Sequence, residues 1–142
     1  MSQENVERVR RGYERFAAGD VEALAELFAP DAELADAGGL GVDDTAVGTR
    51  LGFDGFVRAS EEVREAFDDY RVEPEEFIDA GDAVVVVAHI SGRGRASGMT
   101  LDTRLAHLWV FRGDKVVRGE VYRDAEEALE AARAGGDSSA SP

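Results

Sequence analysis

The chain has 142 residues, the size of one domain with room for a continuous core of its own. Asp and Glu number 30 against 16 Lys and Arg, a formal charge of −14, which repels nucleic-acid phosphates and anionic lipid surfaces and so argues against both as partners. Cysteine is absent, which excludes disulfides, thiol nucleophiles and thiolate metal sites.

The opening string MSQENVERVRRGYERF is charged throughout and holds no signal-peptide core. No apolar stretch approaches the roughly 20 residues of a membrane helix, so the cytoplasm is the expected location. Val6, Val9, Tyr13 and Phe16 recur at helical spacing and predict a helix from about Asn5 to Ala18, ended by Gly19. Asp20 is placed to cap a second helix whose apolar positions Val21, Leu24, Leu27 and Phe28 share a side until Pro30 stops it. DAELADAG then reads as a short strand, and GGLGVDDTAVGTRLG as a loop able to cover a pocket.

Phe53, Phe56, Val57, Ser60, Val63 and Phe67 trace a third amphipathic helix. From Tyr70 the period changes. Tyr70 to Ile78 is a strand candidate, and the Gly81-Asp82 turn leads into Ala83 to Ile90, apolar on both faces as a central strand should be. Leu101 to Phe111 alternates, Arg112-Gly113-Asp114 turns, and Val116 to Arg123 returns as an antiparallel neighbour. Asp124 caps a last helix containing Ala125, Ala128, Leu129 and Ala132. The expected architecture is α+β, with helices on one face of a curved antiparallel sheet. Residues 1–134 form one domain, and GGDSSASP, residues 135–142, is a flexible tail.

Both histidines, His89 and His107, interrupt apolar strand runs, AVVVVAHIS and LAHLWVF, where a polar ring needs a buried partner or a ligand. Leu105, Trp109 and Phe111 share the parity of His107 and offer a ligand wall, a core or a dimer interface. Glu120 and Tyr122 alternate on the last long strand, where either would be chemically useful facing a pocket, though RGEVYR reads first as a half-exposed strand. Asp102 and Arg104 share a face on which they can pair, which makes them weaker candidates for an Arg-Asp site. Histidines far apart in sequence and carboxylates without calcium-loop spacing give metal binding little support, and Gly38-Gly39-Leu40-Gly41 lacks the dinucleotide fingerprint. Neither a metal nor a cofactor is expected.

Three strings, YERFAAGDVEALAELFAPDAEL, GFDGFVRASEEVREAF and LAHLWVFRGDKVVRGEVYRDAEEALEAA, together with the order of elements, resemble the SnoaL-like branch of the NTF2-like superfamily over nearly all of Val6 to Ala132. The resemblance implies a cone, with the N-terminal helices on the concave face of the sheet around a mostly apolar cavity, and dimers formed through the sheet. The superfamily includes ketosteroid isomerases, polyketide cyclases, epoxide hydrolases and dehydratases. Aligned on the isomerases, Asp36 falls at the general base and His107 at the oxyanion-stabilising position. The helix-1 tyrosine position falls on Gly12, one residue before Tyr13, a departure from isomerase chemistry because helix neighbours point about 100° apart.

The catalytic candidates are therefore Asp36 and His107. A carboxylate in an apolar pocket has a raised pKa suited to accepting a proton from carbon, and an imidazole N–H can meet a developing enolate oxygen. Structural alternatives are a turn-capping Asp36 at the ADAGG bend and a His107 bonded to a neighbouring side chain. Tyr13, Phe28, Phe53 and Phe56 are the expected pocket wall from the helical side, and Leu105, Trp109, Phe111 and Val121 from the sheet. The expected function is binding of a small apolar organic molecule, with cofactor-independent isomerisation, cyclisation or dehydration as the chemistry. The alternative is a non-catalytic binding or dimerisation module, and the expected partners are that molecule and a second copy of the chain.

Overall fold

The computed structural model describes residues 2–35 and 50–140. Helix α1 (Ser2–Ala17) buries Val9 and Tyr13, and Gly19, at φ +80°, reverses the chain after it. Asp20 then accepts a hydrogen bond from the Ala23 N–H at 3.3 Å and caps α2 (Val21–Leu24). This helix is a single turn and does not extend to Phe28 as the apolar spacing predicts. Pro30 biases Ala29 to extended backbone, and the sheet supplies a ladder for the segment, the Val116 N–H donating to the Leu27 carbonyl at 2.9 Å. Strand β1 (Phe28–Ala35) therefore starts where the helix was expected to finish.

Strand β2 (Arg50–Leu51) and helix α3 (Phe53–Ala66) follow, and α3 runs without a loop into β3 (Phe67–Asp79). The meander is completed by β4 (Ala83–Gly94), β5 (Thr100–Arg112) and β6 (Lys115–Tyr122), with Gly81 and Gly113 at positive φ in its tight turns. The strands form one six-stranded sheet in the order β2-β1-β6-β5-β4-β3. Its pairs are antiparallel except β1 with β6, which is parallel, so the sheet is mixed and not wholly antiparallel as expected. A parallel neighbour requires a long crossover, and here everything from α3 to β5 provides it.

The valines of β4 show how the layers meet. Val84 and Val86 pack on the inner, concave face with Val9, Tyr13, Phe28 and Leu34, while Val85 packs on the other face with Ala106, Leu108 and Ala128. All three valines are fully buried, which is why the run is apolar at every position. Ala128 belongs to α4 (Ala125–Ala140), whose first turn is capped by Asp124 accepting from the Glu127 N–H at 2.9 Å. The helices thus cover both faces and not one, because α4 carries its own apolar stripe to the side that α1 and α3 leave open. Helix α4 also continues past Arg133 to Ala140. Glycine weakens a helix but only proline forbids one, and the next proline is Pro142.

Gly119 of β6 sits opposite Trp109 of β5, and a Cβ there would lie 2.7 Å from the Trp109 ring and 2.9 Å from Leu34. The indole lies over bare backbone that no other residue leaves free. Gly119→Ala is expected to destabilise the protein by about 1–3 kcal/mol through overpacking, measured by urea unfolding, with a shifted emission maximum from Trp109, the single tryptophan.

Candidate functional site

A cavity of about 100 Å³ lies between α1, α3 and the inner face of the sheet. Val9, Tyr13 and Phe16 of α1, Phe28 and Leu34 of β1, Phe56 of α3, Tyr70 and Val72 of β3, and His107, Trp109 and Val121 of the meander all border it. Strand parity explains the sheet side. His107 pairs with Val86 and Val121, and Trp109 pairs with Val84 and Gly119, so all point to the face that α1 covers.

Three polar groups meet at one corner of this apolar space. The Tyr13 hydroxyl lies 2.6 Å from His107 Nδ1, and the Trp109 indole N–H donates to the same hydroxyl oxygen at 3.0 Å. The tyrosine has a single proton. If it points to Nδ1, the hydroxyl and Nδ1 are both satisfied and the imidazole carries its own proton on Nε2. If Nδ1 were the donor instead, the phenol proton would be stranded as well as the Nε2 lone pair, so the first arrangement prevails. His107 Nε2 is buried and has no hydrogen-bond partner among the described residues. The result is one N–H donor with no acceptor among the described residues, on a ring that borders an apolar cavity.

Burial also sets the charge of the site. His107 is 7% exposed, and desolvation holds its pKa at about 4, below the ordinary imidazole value of 6.5. Burial drives the Tyr13 phenol upward, offset only in part by the Trp109 hydrogen bond. At neutral pH both rings are uncharged hydrogen-bonding groups. The unfolded chain takes up a proton on this imidazole between pH 6.5 and about 4 that the folded chain refuses, so its contribution is complete above pH 6.5 and is lost as the pH falls through that window. At about 1.4 kcal/mol per pKa unit, wild type should lose roughly 3 kcal/mol more stability than His107→Phe between about pH 7 and pH 4. Denaturant titrations across that range measure it, and parallel curves would show an imidazole that titrates normally.

Of the other residues singled out in the sequence, Phe28, Phe56, Trp109, Glu120 and Val121 border the cavity with Tyr13 and His107. Phe53, Leu105 and Phe111 do not. Phe53 packs on Phe28 with ring centroids 5.1 Å apart, Leu105 joins Ala88 and Ile90, and a register shift after Val110 carries Phe111 into the core with Val116. Asp36 and the GGLGVDD segment lie outside the described residues. Helix-1 geometry differs from the simple neighbour argument, since Gly12 and Tyr13 both border the cavity. A Cβ at Gly12 would lie 3.1 Å from the Leu27 side chain, so this position packs against α2 and the chain after it, and Tyr13 reaches His107 from beside it.

The remaining polar candidates face elsewhere. Glu120 borders the cavity along β6, but it pairs with Leu108, so its carboxylate shares the α4 face, where the Tyr122 hydroxyl donates to it at 2.8 Å. His89 Nε2 lies 2.6 Å from Asp102 on the outer face, and Arg104 pairs with Glu75 at 2.7 Å, so Asp102 and Arg104 take separate partners and not each other. Sequence reasoning passed over Phe16, Tyr70 and Val72 as wall residues. The alternation of Tyr70 and Val72 was the available signal, but nothing local says which face of β3 meets α1. Among the described residues no group of three or more His, Asp or Glu side chains converges as a metal site requires. No helix among them is long and apolar enough to cross a membrane.

A mixed sheet covered by α1 and α3 on its inner face is a fold this chain shares with solved NTF2-like proteins. The profile of the SnoaL-like domain matches residues 9–119, and the chain belongs to that family. Among curated proteins none matches it in sequence. Among solved structures it is similar to an NTF2-like protein of unknown function from Burkholderia pseudomallei, with 24% identity, a TM-score of 0.70, and coverage of 89% of this chain and 95% of that one. It is similar also to TerC co-crystallised with polyporic acid, at 28% identity and a TM-score of 0.68 over 89% of this chain and 98% of that one. A third is a proposed polyketide cyclase from Sinorhizobium meliloti, at 26% identity and a TM-score of 0.63 over 85% of this chain and 98% of that one.

Proposed function

We propose that this SnoaL-like protein binds a small, mostly apolar organic molecule carrying a carbonyl oxygen, which accepts the hydrogen bond of His107 Nε2–H. The observation that carries the reading is the buried, unpartnered imidazole nitrogen on the wall of an otherwise apolar cavity. An unmet donor in such surroundings costs about 1–3 kcal/mol, and a ligand oxygen removes that cost while the aromatic wall takes up the apolar remainder. The similarity to a protein crystallised with polyporic acid and to a proposed polyketide cyclase agrees with a carbonyl-bearing ligand.

The same donor suits cofactor-independent proton transfer. Removing a proton from carbon next to a carbonyl puts charge on the oxygen, and a donor fixed in a dry site stabilises that charge more than it stabilises the neutral ketone. His107 is neutral at physiological pH, so it acts as a fixed hydrogen-bond donor and not as an imidazolium acid. The hydroxyl of Tyr13 enforces the tautomer that makes this possible. In this proposal Asp36 is the base, on the strength of its alignment with the isomerases, and isomerisation, cyclisation or dehydration is the reaction class.

Two measurements separate binding from catalysis. Quenching of Trp109 should show 1-indanone binding about fivefold more tightly than indane, the scale of one net hydrogen bond, and His107→Phe should abolish the difference. Equal affinities, or a preference that survives in His107→Phe, would refute the donor role. For catalysis, the protein in D₂O should accelerate deuterium uptake at the α-carbon of 1-indanone, followed by NMR, and Asp36→Asn should remove the acceleration. Binding without exchange would leave a ligand-binding protein.

A further inference from the structure

Beside the apolar cavity lies a second, polar cleft of about 550 Å³ that shares Phe16, Tyr70 and Val72 with it. The two spaces therefore adjoin along one wall. Arg64, Arg71 and Arg95 border the cleft with the carboxylates Asp69 and Glu73, a basic cluster in a chain whose acidic residues outnumber basic ones 30 to 16. Arg95 is engaged by Asp68 at 2.8 Å. Arg64, in the last turn of α3, is different. It donates to the Phe16 carbonyl at the end of α1 and lies 4.4 Å over the Phe16 ring, and among the described residues it has no carboxylate partner.

These contacts fix the guanidinium without neutralising it. A carbonyl and a ring face occupy one edge and one face of the group, and only one of its five N–H donors is spent on that carbonyl. A half-buried positive charge held by neutral partners is a preorganised receptor for a carboxylate, because the geometry is set before the anion arrives. The field of Arg64 is felt at the cavity wall. Burial pushes the Tyr70 phenol up to about 12, and the Arg64 charge pulls in the opposite direction.

We infer that the ligand is an oxo acid whose carboxylate is held by Arg64 in the polar cleft while its apolar body and carbonyl occupy the cavity below His107. This rests on the cavity reading above and adds the second recognition point, which makes the protein selective for anionic over neutral carbonyl compounds.

The test uses 4-oxo-4-phenylbutanoate and its primary amide, titrated calorimetrically into the full-length protein. The acid should bind at least about tenfold more tightly than the amide, and raising the ionic strength from about 0.05 M to about 0.5 M should weaken only the acid. Arg64→Gln should bring the acid to the affinity of the amide and leave the amide unchanged, whereas Arg95→Gln should keep the preference. A loss of fold alone would weaken both probes together. Equal binding of the two probes to wild type, or a preference that persists in Arg64→Gln, overturns the carboxylate site and leaves the cavity standing. Failure of both probes to bind overturns the two readings together. The wild-type comparison and its salt dependence require no variant, so a misfolded Arg64→Gln does not rescue the inference.

Discussion

The hydrogen bond from the Tyr13 hydroxyl to His107 Nδ1 joins the first helix to the centre of the sheet, and much of the inner face is arranged around it. It spans residues 94 apart in sequence, and the indole N–H of Trp109 completes it from two positions along the same strand. Because the phenol has one proton and two neighbours, the network fixes which imidazole nitrogen is protonated. A pair of buried polar rings that would otherwise be a burden on the core thereby becomes a source of direction. The burial of this imidazole also keeps it neutral at physiological pH.

Packing around this network is tight on the sheet side and open on the helix side. Gly119 lets the indole lie against backbone, which holds Trp109 in the orientation its hydrogen bond to Tyr13 needs. Across from it, Phe28, Phe53 and Phe56 form a tilted aromatic cluster that spaces α3 from β1. The Trp109 indole meets this cluster edge-on at Phe28, with ring centroids 6.0 Å apart, and both rings border the cavity. The fully buried valines Val84, Val85 and Val86 of β4 form a close-packed layer in the same core.

Much of this was legible one element at a time. The spacing of Val9, Tyr13 and Phe16, the four valines of β4 and the turns at Gly81 and Gly113 each predict the element found, because period and turn chemistry are local properties. The start of β1 was not legible. Phe28 continues a helical stripe as well as it begins a strand, and pairing with β6, far along the chain, decides between them. The second covering layer was hidden for a similar reason. An alanine stripe on α4 says that the helix packs, but not on which face of the sheet.

For the site, the sequence by itself determined that two histidines stand in apolar strands and that His107, Trp109 and the aromatic positions of α1 and α3 belong to buried surfaces. The burial of strand residues follows from alternation, and alternation is written in the chain. Only the tertiary structure decided that His107 has a phenol on one nitrogen and no partner among the described residues on the other, that His89 is instead paired with Asp102, that the Glu120 carboxylate lies on the α4 face, and that Arg64 is pinned beside Tyr70 without a counter-ion among the described residues. Each of these depends on which distant segment lies opposite a given side chain, and hydrogen bonds and charge pairing act over a few ångströms in space however many residues separate the partners.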